Sequence, residues 1–342
     1  MNPEKFLLLY SNCLPVKGIS RSVVVDTQRS QMFFIDNMLF DLLSEARQKK
    51  WGLLLDEYDE ESQKVIGDML DFLEKNDLCF WASDPELFPE IDLEWDAPAL
   101  ITNAIIDWNS RSTHDYPTIF KSLAGLGCRD IQLRFYEEVE TDRLLSILYL
   151  LEDSYIKSVE FIVRYKDEYT KEFLNALVDE HTKIKTITVH SSPRDDAYRI
   201  SRSVGVSGMG TIMLVRQEIN SSSHCGLVSS DYFTFSTVQT FAEFKSFNSC
   251  LNRKVGIDVE GNIKNCPSMD RIFGNINTDR IEDAIDEKFK SLWHINKDQI
   301  AVCKVCEFRY VCSDCRAFTK DPRNLFDKPL KCRYDPYKME WS

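Results

Sequence analysis

The sequence predicts an α/β protein in three parts, and three observations carry that expectation. Short β-like runs open the chain and give way to helical patterns before residue 82. Between residues 99 and 190, four apolar runs alternate with helical stretches, which is the rhythm of βα units around a parallel sheet. Beyond about Glu218 the alternation fades into a Ser-, Asn- and Cys-rich region that holds eight of the eleven cysteines. The expected parts are residues 1–96, 97–218 and 219–342.

In the first part, "FLLLY", "RSVVVDT" and "QMFFI" read as strands, and the polar Gln28-Arg29-Ser30 between the last two suits a hairpin turn. Asp36 or Asn37 can cap a helix carrying Leu39, Phe40, Leu43 and Ala46 on one side. A second helix should begin near Glu60, with Val65, Met69, Phe72 and Leu73 at helical spacing, and Leu78 to Ala82 reads as one more strand. The stretch "SDPELFPEIDLEWDAP" combines three prolines with a run of acids and reads as a linker.

The second part takes its strands from "ALITNAIIDW", "DIQLRFY", "SVEFIVRY" and "IKTITVH". Helices are expected around Ile119 to Leu126, Asp142 to Leu151 and Thr170 to His181. In the third part only one helix is expected, near Asp279 to Trp293. A segment so rich in thiols and so poor in regular structure is expected to be held together by what the thiols bind.

Composition narrows the function classes. The chain has 342 residues, 43% hydrophobic and 28% charged, the balance of a protein with real cores. No apolar run approaches the roughly 20 residues needed to cross a bilayer, and "MNPEKFLLLYSN" lacks the core and cleavage site of a signal peptide. The expected location is the cytoplasm, without a membrane partner. A reducing compartment shifts the reading of the cysteines from disulfides toward metal ligands or redox chemistry. The formal charge of −13 argues against nucleic acid as a partner, because that binding needs clustered Lys and Arg.

The chemistry concentrates in "CKVCEFRYVCSDCRAF", where Cys303, Cys306, Cys312 and Cys315 follow C-x2-C-x5-C-x2-C. Two C-x2-C pairs can close a tetrahedral zinc site, although a five-residue gap is short for one and leaves other thiols unexplained. Upstream, Cys250, Gly261 and Cys266 read C-x10-G-x4-C, and Cys332 trails the set. Cys13, Cys79 and Cys128 stand alone in apolar or loop contexts and read as structural. His114, His181, His190 and His294 share no ligand spacing, and Glu137, Glu138 and Glu140 read as a solvated acidic loop.

This cysteine pattern resembles the SPASM domain, the C-terminal module of many radical SAM peptide-modifying enzymes, and "FGNI" at Phe273 to Ile276 is also similar. The departure is that Cys312 and Cys315 are two residues apart where the family usually has three. The resemblance implies one or two 4Fe-4S clusters, a role that soft thiolate ligands suit. By position, Cys303, Cys306, Cys312 and Cys332 would hold one. Cys250, Cys266 and Cys315 would hold part of the other, with Cys225 or His224 as fourth ligand or an open iron.

A radical SAM enzyme carries C-x3-C-x2-C in the loop after its first barrel strand. Here that loop reads "NSRSTHDYP", without cysteine, and Tyr136, Glu137 and Glu138 stand where a glycine-rich turn should receive SAM. The expectation is a degenerate partial (β/α) barrel that does not use SAM. Over nearly its full length the chain resembles the SPASM-domain peptide maturases of grasp-with-spasm systems, notably in "NCLPVKGISRSVVVDTQRSQMFFIDNMLFDLL" and "CRYDPY". Its opening order of three strands and then helices also resembles a RiPP recognition element, a winged-helix-like domain that takes a leader peptide as an added strand. That strand would be Gln31, Met32, Phe33, Phe34 and Ile35, with Met32 and Phe34 either lining peptide pockets or lying in the core.

These resemblances imply an accessory factor, without autonomous catalysis, in the maturation of a ribosomally made peptide. It would bind the precursor leader and carry iron-sulfur clusters beside an ATP-grasp ligase. The alternatives are a cluster-dependent oxidoreductase acting on the precursor and a zinc-stapled interaction protein.

Overall fold

Residues rich in β-branched and aromatic side chains open the chain as β1 (Phe6–Leu9), β2 (Cys13–Val16), β3 (Ser22–Asp26) and β4 (Gln31–Ile35). The structure, a computed structural model, describes residues 2–201, 209–230, 233 and 237–342. The chain divides into two compact units. Unit 1 comprises Met1–Asp96, Val228–Ser249 and Ile295–Ser342, and unit 2 comprises Ala97–Leu227 and Cys250–His294. The cysteine-rich region is therefore shared between both.

In unit 1, β2, β3 and β4 form an antiparallel sheet in that order, and the β3–β4 hairpin turns through Ser30 at φ 55°. The strand β2, "CLPV", was not expected, because Pro15 reads against a strand. It is tolerated here because β2 is an edge strand, where a missing N–H need not break the ladder. The first expected strand does not join this sheet: β1 pairs antiparallel with β5 (Cys79–Ala82).

Three helices follow β4. In α1 (Asn37–Ala46), the Asp36 side chain caps the first turn by accepting from the Met38 amide at 2.7 Å. After α2 (Trp51–Leu55), Asp59 caps α3 (Glu60–Lys75) through the Ser62 amide at 2.8 Å. The inward stripe of α3 is Ile66, Leu70 and Leu73, so Val65 and Phe72 are exposed rather than core as the spacing had implied. These helices pack with Leu7, Val24 and Ile35 into one core, while Leu14, Val16, Val23 and Val25 on the other sheet face pack with Phe241, Phe308, Tyr310, Val311 and Tyr334. Every residue of β3 is buried as a result. A helix at Val238–Ser246, capped by Thr237, adds regular structure to a region where none had been expected.

Unit 2 is built on a sheet of nine strands among the described residues. Parallel β6 (Asn103–Trp108), β7 (Asp130–Phe135), β8 (Ser158–Arg164) and β9 (Ile184–His190) lie side by side. The connecting helices are α4 (Tyr116–Gly125), α5 (Thr141–Glu152) and α6 (Lys171–Glu180), close to the expected spans. Next to β9 lies β11 (Met209–Leu214), paired in turn with β10 (Asp196–Ser201). On the other side, β12 (Lys254–Ile257) runs parallel to β6, followed by β13 (Asn262–Lys264) and β14 (Gly274–Asn275).

The single helix expected over Asp279 to Trp293 is broken. Short turns at Ile281–Ala284 and Glu287–Lys290 are separated by Asp286, whose side chain accepts from the Phe289 amide at 2.7 Å and so starts a new helix. Among the described residues no helix is long and apolar enough to cross a membrane. The parallel strands and their helices meet in a core that includes Ile106, Leu133, Phe161, Phe120, Ile147 and Leu174. Phe161→Ala should cost about 3–5 kcal/mol of stability, read by urea denaturation of the whole chain. A loss below about 1 kcal/mol, the level of an ordinary surface change, would remove Phe161 from that core.

Candidate metal centre

The thiols of unit 1 are placed by backbone turns. Cys303 begins a short turn at Cys303–Val305, and the Cys306 amide donates back to the Cys303 carbonyl at 3.0 Å, so the first C-x2-C pair shares one turn. The Cys312 amide donates to the Phe308 carbonyl at 3.0 Å, and the Cys332 amide to the Pro329 carbonyl at 3.1 Å. Cys303, Cys306, Cys312 and Cys332 all line one cavity. Among the described residues no three Cys, His, Asp or Glu side chains are grouped to grip a single ion; the four thiols ring the cavity instead of converging.

The cavity wall is aromatic and cationic. Phe308 lies 4.9 Å from Phe233 and 5.0 Å from Tyr334 between ring centroids, and Tyr334 lies 4.9 Å from Trp341. Lys297, Arg309 and Lys328 complete the lining. Burial pushes the Cys303 thiol up to about 12 and raises those of Cys306 and Cys312 as well. Burial disfavours thiolates, so a cation is needed to hold these groups deprotonated. Lys297 is only 2% exposed, and its Nζ donates to the Cys312 carbonyl and, at 3.0 Å, to the Ser313 carbonyl. Burial alone would lower its pKa; ionised Cys312, the Asp314 carboxylate and ionised Cys303 and Cys306 act the other way, and the net shift is upward.

Unit 2 contains Cys225, Cys250 and Cys266. Lys254 Nζ donates to the Cys250 sulfur at 3.5 Å. Burial, with help from the Cys250 charge, pushes the Cys266 thiol up to about 11. Cys225 and His224 are exposed at a short turn. Cys315 is buried and belongs to unit 1, and it is not among the residues lining the cavity there.

Cys13, Cys79 and Cys128 are buried, and burial pushes each up to about 12. His114, His181 and His190 are buried beside the Asp107 carbonyl, Glu152 and the Phe135 carbonyl respectively. Glu137, Glu138 and Glu140 are exposed, with Glu137 accepting from the Ser110 amide at 3.0 Å.

Tyr136 departs from the solvated-loop reading of its neighbours. It is buried, and its hydroxyl donates to Asp107 at 2.6 Å, while Arg134 Nε donates to the other Asp107 oxygen at 2.6 Å. Burial raises the Asp107 carboxyl against the pull of Arg134. This cluster lies at the C-terminal ends of β6 and β7, where parallel sheets place their ligands. The clue was in "NAIIDW": a lone acid inside an apolar strand needs a partner.

The peptide-edge residues Gln31 to Ile35 form β4, which has β3 on one side and, among the described residues, no strand on the other. Phe33 and Ile35 face the helical core, and Phe33 lies 6.4 Å from Phe72 of α3. Met32 is 36% exposed and Phe34 45%, which removes the reading of that pair as plain core. The Arg21 guanidinium sits 3.7 Å from the Phe34 ring centre, and Phe34 lies 5.8 Å from Phe308 of the cavity wall.

No known protein family and no curated protein matches the sequence. Solved structures similar to this chain include that of Streptococcus suis SuiB bound to S-adenosylmethionine, at 10% identity and TM-score 0.37, covering 94% of this chain and 98% of that one. Others are SuiB, at 9% identity and TM-score 0.30 over 92% and 95% of the two chains, and SuiB bound to precursor peptide SuiA, at 10% and 0.31 over 91% and 96%. Scores this low carry neither fold nor activity across to this chain.

The cavity makes a specific expectation about metal content. Cys306→Ala and Cys332→Ala should each lower bound iron and sulfide in anaerobically purified protein, whereas Cys128→Ala should not. Equal iron and sulfide in all three variants would show that the cavity does not hold the metal.

Proposed function

We propose that this chain is an accessory factor in the maturation of a ribosomally made, post-translationally modified peptide, working in the cytoplasm beside an ATP-grasp ligase. In this reading residues 1–96 are a winged-helix-like recognition domain that takes the precursor leader as an added strand along β4. Residues 97–218 are a degenerate radical-SAM-like partial barrel, and residues 219–342 a SPASM domain. The supporting observation is that Cys303, Cys306, Cys312 and Cys332, scattered over that C-terminal stretch, line one cavity.

The donor set fits an iron-sulfur cluster: four soft sulfur ligands, an aromatic wall and nearby positive charge. Cys303, Cys306, Cys312 and Cys332 would hold one 4Fe-4S cluster. Cys225, Cys250 and Cys266 would contribute to a second, and for Cys315 the assignment rests on the spacing alone. Bound there, a cluster would supply one-electron chemistry or a cross-link for a segment with little regular structure. Zinc on Cys303, Cys306, Cys312 and Cys315 is the weaker reading, because the fourth thiol lining the cavity is Cys332.

The protein's own residues in this scheme bind and orient. An edge strand offers main-chain donors and acceptors to a peptide, and exposed Met32 and Phe34 with Phe72 and Val65 of α3 supply apolar contacts for alternate side chains. ATP would be used by the ligase, since this sequence shows no Gly-rich phosphate loop. The direct test is reconstitution of precursor, ligase and this chain, each omitted in turn. Crosslinked product of normal yield without this chain would sink the accessory role.

Two further outcomes are expected. Reduced, anaerobic protein should release no 5'-deoxyadenosine from SAM above a no-enzyme control, because the loop from Asn109 to Pro117 contains no thiol; sustained turnover would overturn the degenerate-barrel reading. Phe33→Pro in the full chain should weaken leader binding by about tenfold or more, since it removes an N–H from β4 and distorts the edge. Binding is read by anisotropy of a labelled leader, with circular dichroism and iron content as controls. Where the proline unfolds the sheet, the exposed Met32→Lys substitution replaces it. Unchanged affinity in a folded variant excludes β4 as the binding edge.

A further inference from the structure

Lys297 stands out among the charged groups of unit 1 because it is buried without an ion-pair partner among the described residues. It begins a short turn, Lys297–Gln299, anchored by Asn296, whose side chain accepts from the Asp298 amide at 3.2 Å and donates to the Lys245 carbonyl at 3.1 Å. The ammonium is thereby carried into the lining of the cysteine cavity, where it is almost wholly buried. Its hydrogen-bond acceptors are the carbonyls of Cys312 and Ser313. Carbonyls satisfy N–H groups, but they carry no net charge to offset a buried cation.

The neighbouring carboxylates are already committed. Asp314 takes two 2.7 Å hydrogen bonds from Arg316 and a third, at 2.6 Å, from Asn248. Asp298 accepts from Arg309 at 3.0 Å and from the Tyr310 hydroxyl. Glu307 accepts from Arg21 at 2.8 Å and from the Tyr334 hydroxyl. Among the described residues no carboxylate forms an ion pair with Lys297. Lys297 instead lines the same cavity as Cys303, Cys306, Cys312 and Cys332, so metal-bound thiolates there would face it directly. In unit 2 a second lysine, Lys254, donates to the Cys250 sulfur at 3.5 Å.

We infer that Lys297 is the internal counter-ion of the cysteine cavity, a positioning residue whose fixed charge offsets the metal-bound thiolates and raises the reduction potential of the group they hold. The inference rests on the iron-sulfur reading above. Its physical basis is that reduction adds one negative charge to the group, and a buried ammonium stabilises the reduced form more than the oxidised one. Potentials of such centres follow net charge and burial. The charge also opposes loss of metal, because protonation of the released thiols would leave the ammonium without an anion.

The test uses the full chain, purified without oxygen, with Lys297→Gln, Lys297→Met and Lys297→Arg. Glutamine can still donate to the two carbonyls, methionine fills the volume without charge, and arginine keeps the charge. Iron and sulfide per chain are measured together with the midpoint potential by equilibrium titration. Loss of charge is expected to change the reduced-to-oxidised ratio at fixed potential by tenfold or more, which is a fall of at least about 59 mV for one electron; Lys297→Arg should stay closer to wild type. If the neutral variants instead lose their metal, the inference requires Lys297→Arg to retain it.

Unchanged potentials in metal-loaded neutral variants would overturn the inference, as would equal metal loss in all three. A wild-type chain without iron and sulfide is a different result: it removes the iron-sulfur reading itself, and the counter-ion role with it.

Discussion

Asp314 and Arg316 are both shielded from solvent, and their side chains meet through two parallel hydrogen bonds of 2.7 Å. Much of the cysteine-bearing part of unit 1 hangs on this pair. Arg316 also donates to the carbonyls of Leu325 and Asp327, while Asn248 joins Asp314 to the Ile295 carbonyl. Four stretches of irregular chain are thus tied to one point, between Cys312 and Cys332. A buried pair with every partner in place contributes little net stability over an apolar substitute, but losing one partner costs about 3–5 kcal/mol. Such a pair therefore specifies a conformation more than it stabilises one, and a loop that must present thiols at fixed positions needs that specification.

The same segment depends on the small sheet beside it. Leu14, Val16, Val23 and Val25 form one wall of a core completed by Phe308, Tyr310, Val311 and Tyr334, and Cys306, Cys312 and Cys332 pack against that core. Arg21 is the junction: it stacks on Phe34 of the outer strand, pairs with buried Glu307 next to Cys306, and donates to the Tyr334 hydroxyl at 3.3 Å. The Ile19 amide adds a main-chain bond to Val305 at 2.8 Å. The outer strand β4 and the cysteine-lined cavity thus share a residue and a core within one unit.

What could be read from sequence followed the strength of the local signal. The βα alternation of unit 2 was plain because each strand is a run such as "SVEFIVR" flanked by a helix with its own apolar stripe. β2 was hidden because its Pro15 argues against a strand until the edge position is known. In α3 the helix was visible but its rotation was not: Val65 and Ile66 are equally apolar, and only tertiary packing decides that Ile66 turns inward. The break at Asp286 was missed because an Asp within a helical pattern can lie on the solvent face as easily as it can cap a new turn. The thiol spacing identified the residues around the cavity, with Cys332 entering only through the resemblance to SPASM domains. Lys297 and Lys254 gave no signal at all, since a single lysine in sequence reads as surface and its burial depends on distant contacts.

Asp107, Arg134 and Tyr136 form a buried cluster at the C-terminal ends of β6 and β7. The C-terminal ends of parallel strands favour ligand sites because loops diverge there and leave a crevice. At β6 and β7 the space is filled by the protein's own side chains: Asp107 binds both Arg134 and Tyr136, and the Asp107 carbonyl faces His114 at 2.8 Å. A carboxylate already engaged by a guanidinium and a phenol has little capacity left for a further donor. Arg134 Nη2 stays buried without a hydrogen-bond partner, so the cluster is not a fully satisfied network of the kind that burial alone would favour. Both Asp107 oxygens are spent within the cluster, whereas the lysines beside the two thiol sets have no carboxylate ion pair among the described residues, and charge of that kind can act on a bound group.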